Sequence, residues 1–273
     1  MKAPAFDYVR PRDLEGVFAA LRGEHAMAKL VAGGQSLLPM LNLRLARPTL
    51  LIDVSRIDAL RVIEDLGASV RIGAAITHAE LEDREIAGCA MLRTVAAGIA
   101  YRSVRNRGTI GGSLVHADPA ADWPLALSAL GATVIVEGNS GRRSVGADRF
   151  AHAAFQTCLA DDEIVVAVEV PKLSPAARTG YYKFCRKIGE FPEASAAAVF
   201  DPQSRRARLY IGALIGPPQP LDALASTIAR HGAASLSEAA VAAAVDPVAG
   251  HEPGERRMRR ATVMRALKDV FAS

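Results

Sequence analysis

Two short loops pair adjacent glycines with small hydroxyl side chains: Ala32-Gly33-Gly34-Gln35-Ser36 and Thr109-Ile110-Gly111-Gly112-Ser113. Adjacent glycines admit positive φ and let the backbone approach an anion with no Cβ in the way, while successive amide N–H groups and hydroxyls donate to phosphate oxygens. Two such loops would suit a pyrophosphate. Taken singly, a Gly pair between two elements is commonly just a tight turn, and spacing alone leaves both readings open. Neither loop has the GxGxxG spacing of a Rossmann turn or the GxxxxGK[ST] of a P-loop.

The segment Leu114-Val115-His116-Ala117-Asp118-Pro119-Ala120-Ala121-Asp122 follows the second loop at once. A carboxylate there would suit a ribose diol, because it accepts two hydrogen bonds. Equally, Asp118-Pro119 reads as a turn and Asp122 as a helix N-cap. His116 has no second His or Cys at ligand spacing, so no metal site and no catalytic base is assigned to it. Cys89, Cys158 and Cys185 are odd in number and lack CxxC spacing, which excludes a disulfide framework and a four-thiolate cluster within this chain and points to a reducing compartment. No GxSxG, HExxH or Ser/His/Asp set is present, so no catalytic residue is named.

These loops need a scaffold, and the chain is long enough to provide one. Its 273 residues are 50% hydrophobic and 23% charged, which excludes a disordered or fibrous chain and allows one large or two modest domains. The net charge of +4 does not call for nucleic acid. The N-terminus lacks a secretory pattern and no apolar stretch reaches bilayer length, so a cytoplasmic chain without a transmembrane segment is expected.

Periodicity predicts a helix over 12–21, a short apolar run at 29–32 leading into the first Gly pair, and a helix over 36–45 with Leu37, Leu38, Leu41 and Leu45 on one side. Strands follow at 50–54 and 70–74, helices at 78–84 and 91–100, and then a basic loop, Arg105-Asn106-Arg107-Gly108, leads to the second Gly pair. A helix at 124–130 and strands at 132–136 and 164–171 precede a candidate linker at 172–176. Beyond it, strand-like runs at 181–187, 194–200 and 208–214 and helices over 222–246 and 254–270 predict a smaller sheet with helices packed on it. The basic run Arg256-Arg257-Met258-Arg259-Arg260 reads as the solvated face of a helix whose Val263, Met264 and Leu267 point inward.

Together, Ala32-Gly33-Gly34-Gln35-Ser36-Leu37-Leu38-Pro39-Met40, Thr109-Ile110-Gly111-Gly112-Ser113-Leu114, Asp118-Pro119-Ala120-Ala121-Asp122 and Tyr182-Lys183-Phe184-Cys185-Arg186-Lys187-Ile188-Gly189 resemble the FAD-binding (medium) subunit of the molybdenum hydroxylases, the carbon monoxide dehydrogenase-like and xanthine dehydrogenase-like enzymes. The resemblance runs through the whole chain. It implies an α+β fold: a two-part FAD-binding domain of the vanillyl-alcohol oxidase type over 1–174, with subdomains at about 1–55 and 56–174, and a smaller α+β C-terminal domain over 175–273. It also implies that Leu30, Val31, Ala32, Gly33, Gly34, Gln35, Ser36 and Leu37, with Thr109, Ile110, Gly111, Gly112 and Ser113, wrap the FAD pyrophosphate and adjoining parts. Ile99, Asp122, Val165 and Lys183 match positions beside the cofactor.

Departures are visible: Ser113 stands where xanthine-type relatives carry asparagine, Ile99 where some carry phenylalanine, and Glu190-Phe191 where an acidic-aromatic pair usually begins with Asp. The scattered cysteines leave no room for the extra cluster of some relatives. The implied chemistry is electron transfer from 2Fe-2S clusters of a small partner subunit, through FAD, to NAD, a quinone or another acceptor, with hydroxylation on a large molybdenum-pterin subunit in a dimer of heterotrimers. Amide donors and Lys183 are expected to stabilise reduced flavin and raise its potential. The alternatives are a self-contained FAD oxidoreductase and a flavin-free assembly partner of the same fold.

Overall fold

The computed structural model describes residues 2–23 and 27–272. The chain begins with β1 (Asp7–Val9), α1 (Leu14–Arg22), β2 (Ala28–Val31), α2 (Leu37–Asn42) and β3 (Leu50–Asp53). These strands form a small parallel sheet in the order β1-β3-β2. The central strand, Leu50-Leu51-Ile52-Asp53, is buried at every position, as a parallel strand covered on both faces requires. Asp13 caps α1 by accepting from the Gly16 amide, and Val17 carries the helix onto Leu50 and Ile52. The first Gly pair leaves the carboxyl end of β2, where open sheets of parallel strands present ligand crevices.

The row of four leucines expected on one side of 36–45 is not formed. The helix ends at Asn42 and Arg44 takes φ 58°, so only Leu41 is buried, while Leu38 and Leu45 are 44% and 72% exposed.

The next stretch contains β4 (Ile63–Asp65), β5 (Ser69–Gly73), α3 (His78–Asp83), α4 (Ala90–Gly98), α5 (Arg102–Arg105), α6 (Ile110–His116), α7 (Asp122–Leu130), β6 (Thr133–Gly138), β7 (Gly141–Gly146), α8 (Ala147–Phe150), β8 (Ala151–Ala153), β9 (Gln156–Thr157) and β10 (Ile164–Pro171). Five of these strands form an antiparallel sheet in the order β4-β5-β10-β6-β7. The apolar run of β10 lies at its centre, and α4, α6 and α7 bury their apolar sides with it around Trp123. Strand β7 has no apolar alternation to announce it. It forms because Gly138 and Gly141 close a hairpin on β6, with Arg142 and Arg143 paired to Glu137 and Glu163.

The last part holds β11 (Arg178–Phe184), β12 (Ala194–Asp201), β13 (Arg206–Gly212), β14 (Gln219–Pro220), α9 (Asp222–His231), α10 (Glu238–Val245) and α11 (Pro253–Phe271), with the strands antiparallel in that order. The first strand starts and ends three residues earlier than periodicity predicts, so Lys187 falls in the loop after it. Strand β12 separates two cores. Ala196, Ala198 and Phe200 face α9, α10 and α11, whereas Ala197 and Val199 join the core around Trp123. Small side chains let both layers approach closely.

Gly180 is the tightest point of that packing, since a Cβ there would lie 1.9 Å from the Ala266 carbonyl oxygen. Gly180→Ala is expected to push α11 off the sheet and cost about 1–3 kcal/mol, read as a lower denaturant midpoint. Within α11, Val263 and Leu267 are buried, with Met264 partly so. Arg259 departs from the solvated-face expectation. It is buried and donates to the carbonyls of Ala249 and Ala213 and to Glu255 at 2.8 Å, because the turns at 213 and 249 present carbonyls that only a long cation reaches.

Candidate functional site

The two Gly pairs meet, and they do different jobs. Gly33 is buried, and a Cβ on it would lie 2.0 Å from the Arg107 carbonyl oxygen, so only glycine lets this loop rest on the backbone before the second pair. Gly34 takes φ 71° and turns the chain into α2. Among the described residues, the amides of Gly33, Gly34, Gln35, Ser36 and Leu37 donate to no protein acceptor. A run of unpaired N–H groups at a strand end is an anion cradle.

The amides of the second pair already have acceptors. Ile110 donates to the Ile76 carbonyl at 3.1 Å and Gly111 to Ala74 at 3.0 Å, while Thr109 caps α6 by accepting from Gly112 at 3.1 Å. The sequence suggests amide donors to an anion in both loops; the structure leaves free amides mainly in the first. Gly112 contributes bare surface: a Cβ there would meet only the Thr109 hydroxyl at 2.9 Å and Ala32 Cβ at 3.9 Å.

Between the loops, at the carboxyl ends of β2 and β3, lies a cavity of about 440 Å³ reached by Ala32, Arg56, Arg61, Thr77, Arg107 and Thr109. Arg61 is held by Glu80 at 3.0 Å, and Glu80 completes a capping box with Thr77 at the start of α3. The cavity lining sets three arginines, Arg56, Arg61 and Arg107, against one acid, Asp58, and this positive balance favours an anionic occupant.

The acids after the second loop separate in role. Asp118 accepts from the Ala120 amide at 2.9 Å and makes a turn. Asp122 is not an N-cap. It is the first residue of α7, only 7% exposed, and its carboxylate receives the Tyr181 hydroxyl and the Lys183 ammonium, whose Nζ lies 3.0 Å from Oδ1. Burial pushes the Asp122 carboxyl up, against the pull of Lys183 and Tyr181. Burial, reinforced by the Asp122 charge, holds the Tyr181 hydroxyl well above the usual phenol range, so it remains a donor.

Ile99 ends α4 half-buried, and Arg105 donates to its carbonyl and to that of Ala100, both at 2.9 Å. Val165 is buried at the β10 bulge, in the core that contains Ile110 and Trp123. Leu30 and Val31 are β2 residues and Leu37 opens α2. The structure thus brings the loop at 32–33 together with Arg107, Thr109 and Gly112, and Asp122 together with Lys183.

Sequence reading missed Arg56, Arg61, Tyr181 and His78. The Trp123 indole donates to Nδ1 of His78 at 3.0 Å, and a Cβ on Gly108 would lie 2.8 Å from its Nε2, so His78 wedges the loop that carries Arg107 and Thr109. Only the Thr77-x-x-Glu80 capping signature was available to mark this spot, and it says nothing of a tryptophan 45 residues away.

Burial, with the charge of Arg105 adding to it, lowers the His78 pKa to about 4. Between that value and the unfolded pKa of about 6.5 the unfolded chain binds the extra proton, so stability falls as pH drops through this window. Wild-type melting temperature is expected to decline there, and His78→Gln to lose that part of the decline; parallel curves would show that another group titrates.

Among the described residues no helix is long and apolar enough to cross a membrane. Residues 4–173 match the family described as the FAD binding domain in molybdopterin dehydrogenase. The chain is 38% identical over 224 residues to the nicotine 6-hydroxylase medium subunit of Paenarthrobacter nicotinovorans, covering 80% of this chain and 78% of the relative. It is 40% identical over 201 residues to the carbon monoxide dehydrogenase medium chain of Hydrogenophaga pseudoflava, covering 73% and 70%. A solved carbon monoxide dehydrogenase from Hydrogenophaga pseudoflava, lacking the Mo-pyranopterin moiety of its cofactor, superposes with a TM-score of 0.91 at 34% identity over 100% of this chain and 99% of that one.

Fold and site define an FAD-binding component of an oxidoreductase, α+β in class. More particularly, the chain belongs to the family of FAD-binding medium subunits of the molybdenum hydroxylases. The residues present fit that cofactor: unpaired amides and arginines suit its pyrophosphate, and the open surface over Gly112 leaves it room.

Proposed function

We propose that this chain carries electrons from 2Fe-2S clusters of a small partner subunit, through FAD, to an external acceptor such as NAD or a quinone, while a large molybdenum-pterin subunit hydroxylates the substrate. The observation that carries this reading is the run of free amides at 33–37, next to Ala32, which lies against the bare backbone at Gly112, on a chain whose family binds FAD. FAD supplies the chemistry, since it exchanges one or two electrons and so joins single-electron carriers to a two-electron acceptor. The protein binds and orients it.

In this reading residues 30–37 and 109–113 hold the pyrophosphate, with Arg56, Arg61 and Arg107 offsetting its charge. Asp122 and Lys183 lie beside the ring, where an ammonium favours added negative charge, and Ile99 and Val165 line the rest. Residues 1–174, in two parts divided near 55, form the FAD domain, and 175–273 close over it. The assembly is a cytoplasmic dimer of heterotrimers, in line with relatives named as medium subunits.

The test is the visible spectrum of the purified chain, followed by heat release and chromatography of the cofactor. Stoichiometric FAD, with no turnover of substrate by the chain alone, is the expected result. A colourless chain that also refuses added FAD would overturn it in favour of an assembly role, and turnover by the chain alone would favour a self-contained oxidoreductase.

A further inference from the structure

Tyr181 and Lys183 stand two residues apart on β11, so strand alternation sends both to the side that meets α4 and α7, while Gly180 and Tyr182 face α11. Both side chains converge on Asp122. The ammonium straddles the carboxylate, with Nζ 3.0 Å from Oδ1 and 3.3 Å from Oδ2. Tyr181 donates its hydroxyl to the same Oδ1 that the ammonium approaches.

Lys183 has three N–H donors, and Asp122 is the only partner it has among the described residues. Its side chain is 11% exposed, a position where unclaimed donors are costly unless a ligand accepts from them. Space for a ligand is present, since Gly98 opposes the lysine stem and a Cβ there would find only Lys183 Cε, at 3.8 Å.

We propose that Tyr181 is a positioning residue for the flavin: by donating to Oδ1 of Asp122 it shares that carboxylate with Lys183 and keeps the ammonium free to donate to the bound ring. This rests on the reading that Asp122 and Lys183 lie beside the ring. Without the hydroxyl, Asp122 draws Lys183 fully onto itself and the ring loses a charge-assisted donor. The raised pKa of Tyr181 agrees, because a phenol that stays protonated stays a donor.

The experiment sets the full chain, loaded with FAD, at a fixed redox-dye poise and reads the reduced-to-oxidised ratio of the bound flavin only, so that loss of binding is counted separately. Tyr181→Phe is expected to lower that ratio about fivefold, the size of one net hydrogen bond. Lys183→Met should lower it at least as much, and the double variant should match Lys183→Met. A fluorotyrosine placed at 181 keeps the ring and strengthens the donor, so it should raise the ratio; it also serves if Tyr181→Phe fails to fold. An unchanged ratio in Tyr181→Phe, or in the fluorotyrosine protein, beside a shift in Lys183→Met overturns this proposal alone. No shift in Lys183→Met overturns the placement of Lys183 beside the ring, and the proposal with it.

Discussion

Gly112→Val is expected to give a folded chain without flavin, whereas Gly33→Val is expected to lose flavin and fold together. The pattern of two Gly pairs predicts one behaviour for both, a folded and flavin-free protein; the structure separates them. A side chain at Gly112 enters open space and displaces only the Thr109 hydroxyl, which costs about one helix cap, roughly 1 kcal/mol. It then occupies the surface over which the pyrophosphate is proposed to lie. A side chain at Gly33 collides with the Arg107 carbonyl at 2.0 Å and with its carbon at 2.6 Å, and backbone cannot rotate away as a side chain can. Overpacking of that kind costs about 1–3 kcal/mol or more and forces apart the two loops that make the cradle. Circular dichroism, thermal melting and flavin content per chain check the pair. Full FAD content in a folded Gly112→Val chain would sink the cradle.

The same contrast shows what a sequence makes legible. Elements whose own residues carry the pattern were readable: β3 as an apolar run, β10 as a longer one, α1 by its periodicity, and both Gly pairs by composition. Features fixed by distant partners were not. Strand β7 carries Val145 as its only large apolar residue and forms because β6 offers it an edge. The leucines after Ser36 imply an amphipathic helix, but a positive φ at Arg44 ends it before the row is complete. Arg259 looks like one more surface arginine until the carbonyls of Ala213 and Ala249 arrive from other turns. In the site, Lys183 and Asp122 were each matched by resemblance, yet nothing local says that they touch, or that Tyr181 joins them from 59 residues away. Which loop has amides to spare is likewise settled by the carbonyls of Ala74 and Ile76, which no motif contains.

Within the cluster of Asp122, Tyr181 and Lys183, Asp122→Ala is expected to be the most damaging single change, and the damage should be relieved by a second substitution. Asp122 belongs to α7 and its two partners to β11, so the cluster ties the C-terminal sheet to the helix that holds Trp123 in the main core. Truncating the acid leaves the ammonium of Lys183 and the hydroxyl of Tyr181 without their acceptor in a site of little solvent exposure. Breaking a buried pair from one side costs about 3–5 kcal/mol, because the surviving charge keeps its desolvation penalty and loses its compensation. Lys183→Met should cost less, since the carboxylate it leaves behind still has the Tyr181 donor and the positive end of α7. The double variant Asp122→Ala with Lys183→Met should therefore be more stable than Asp122→Ala alone, and urea melts of the four proteins give the coupling directly. Additive losses would mean that acid and lysine do not stabilise each other, and that the tie between α7 and β11 rests on the surrounding packing.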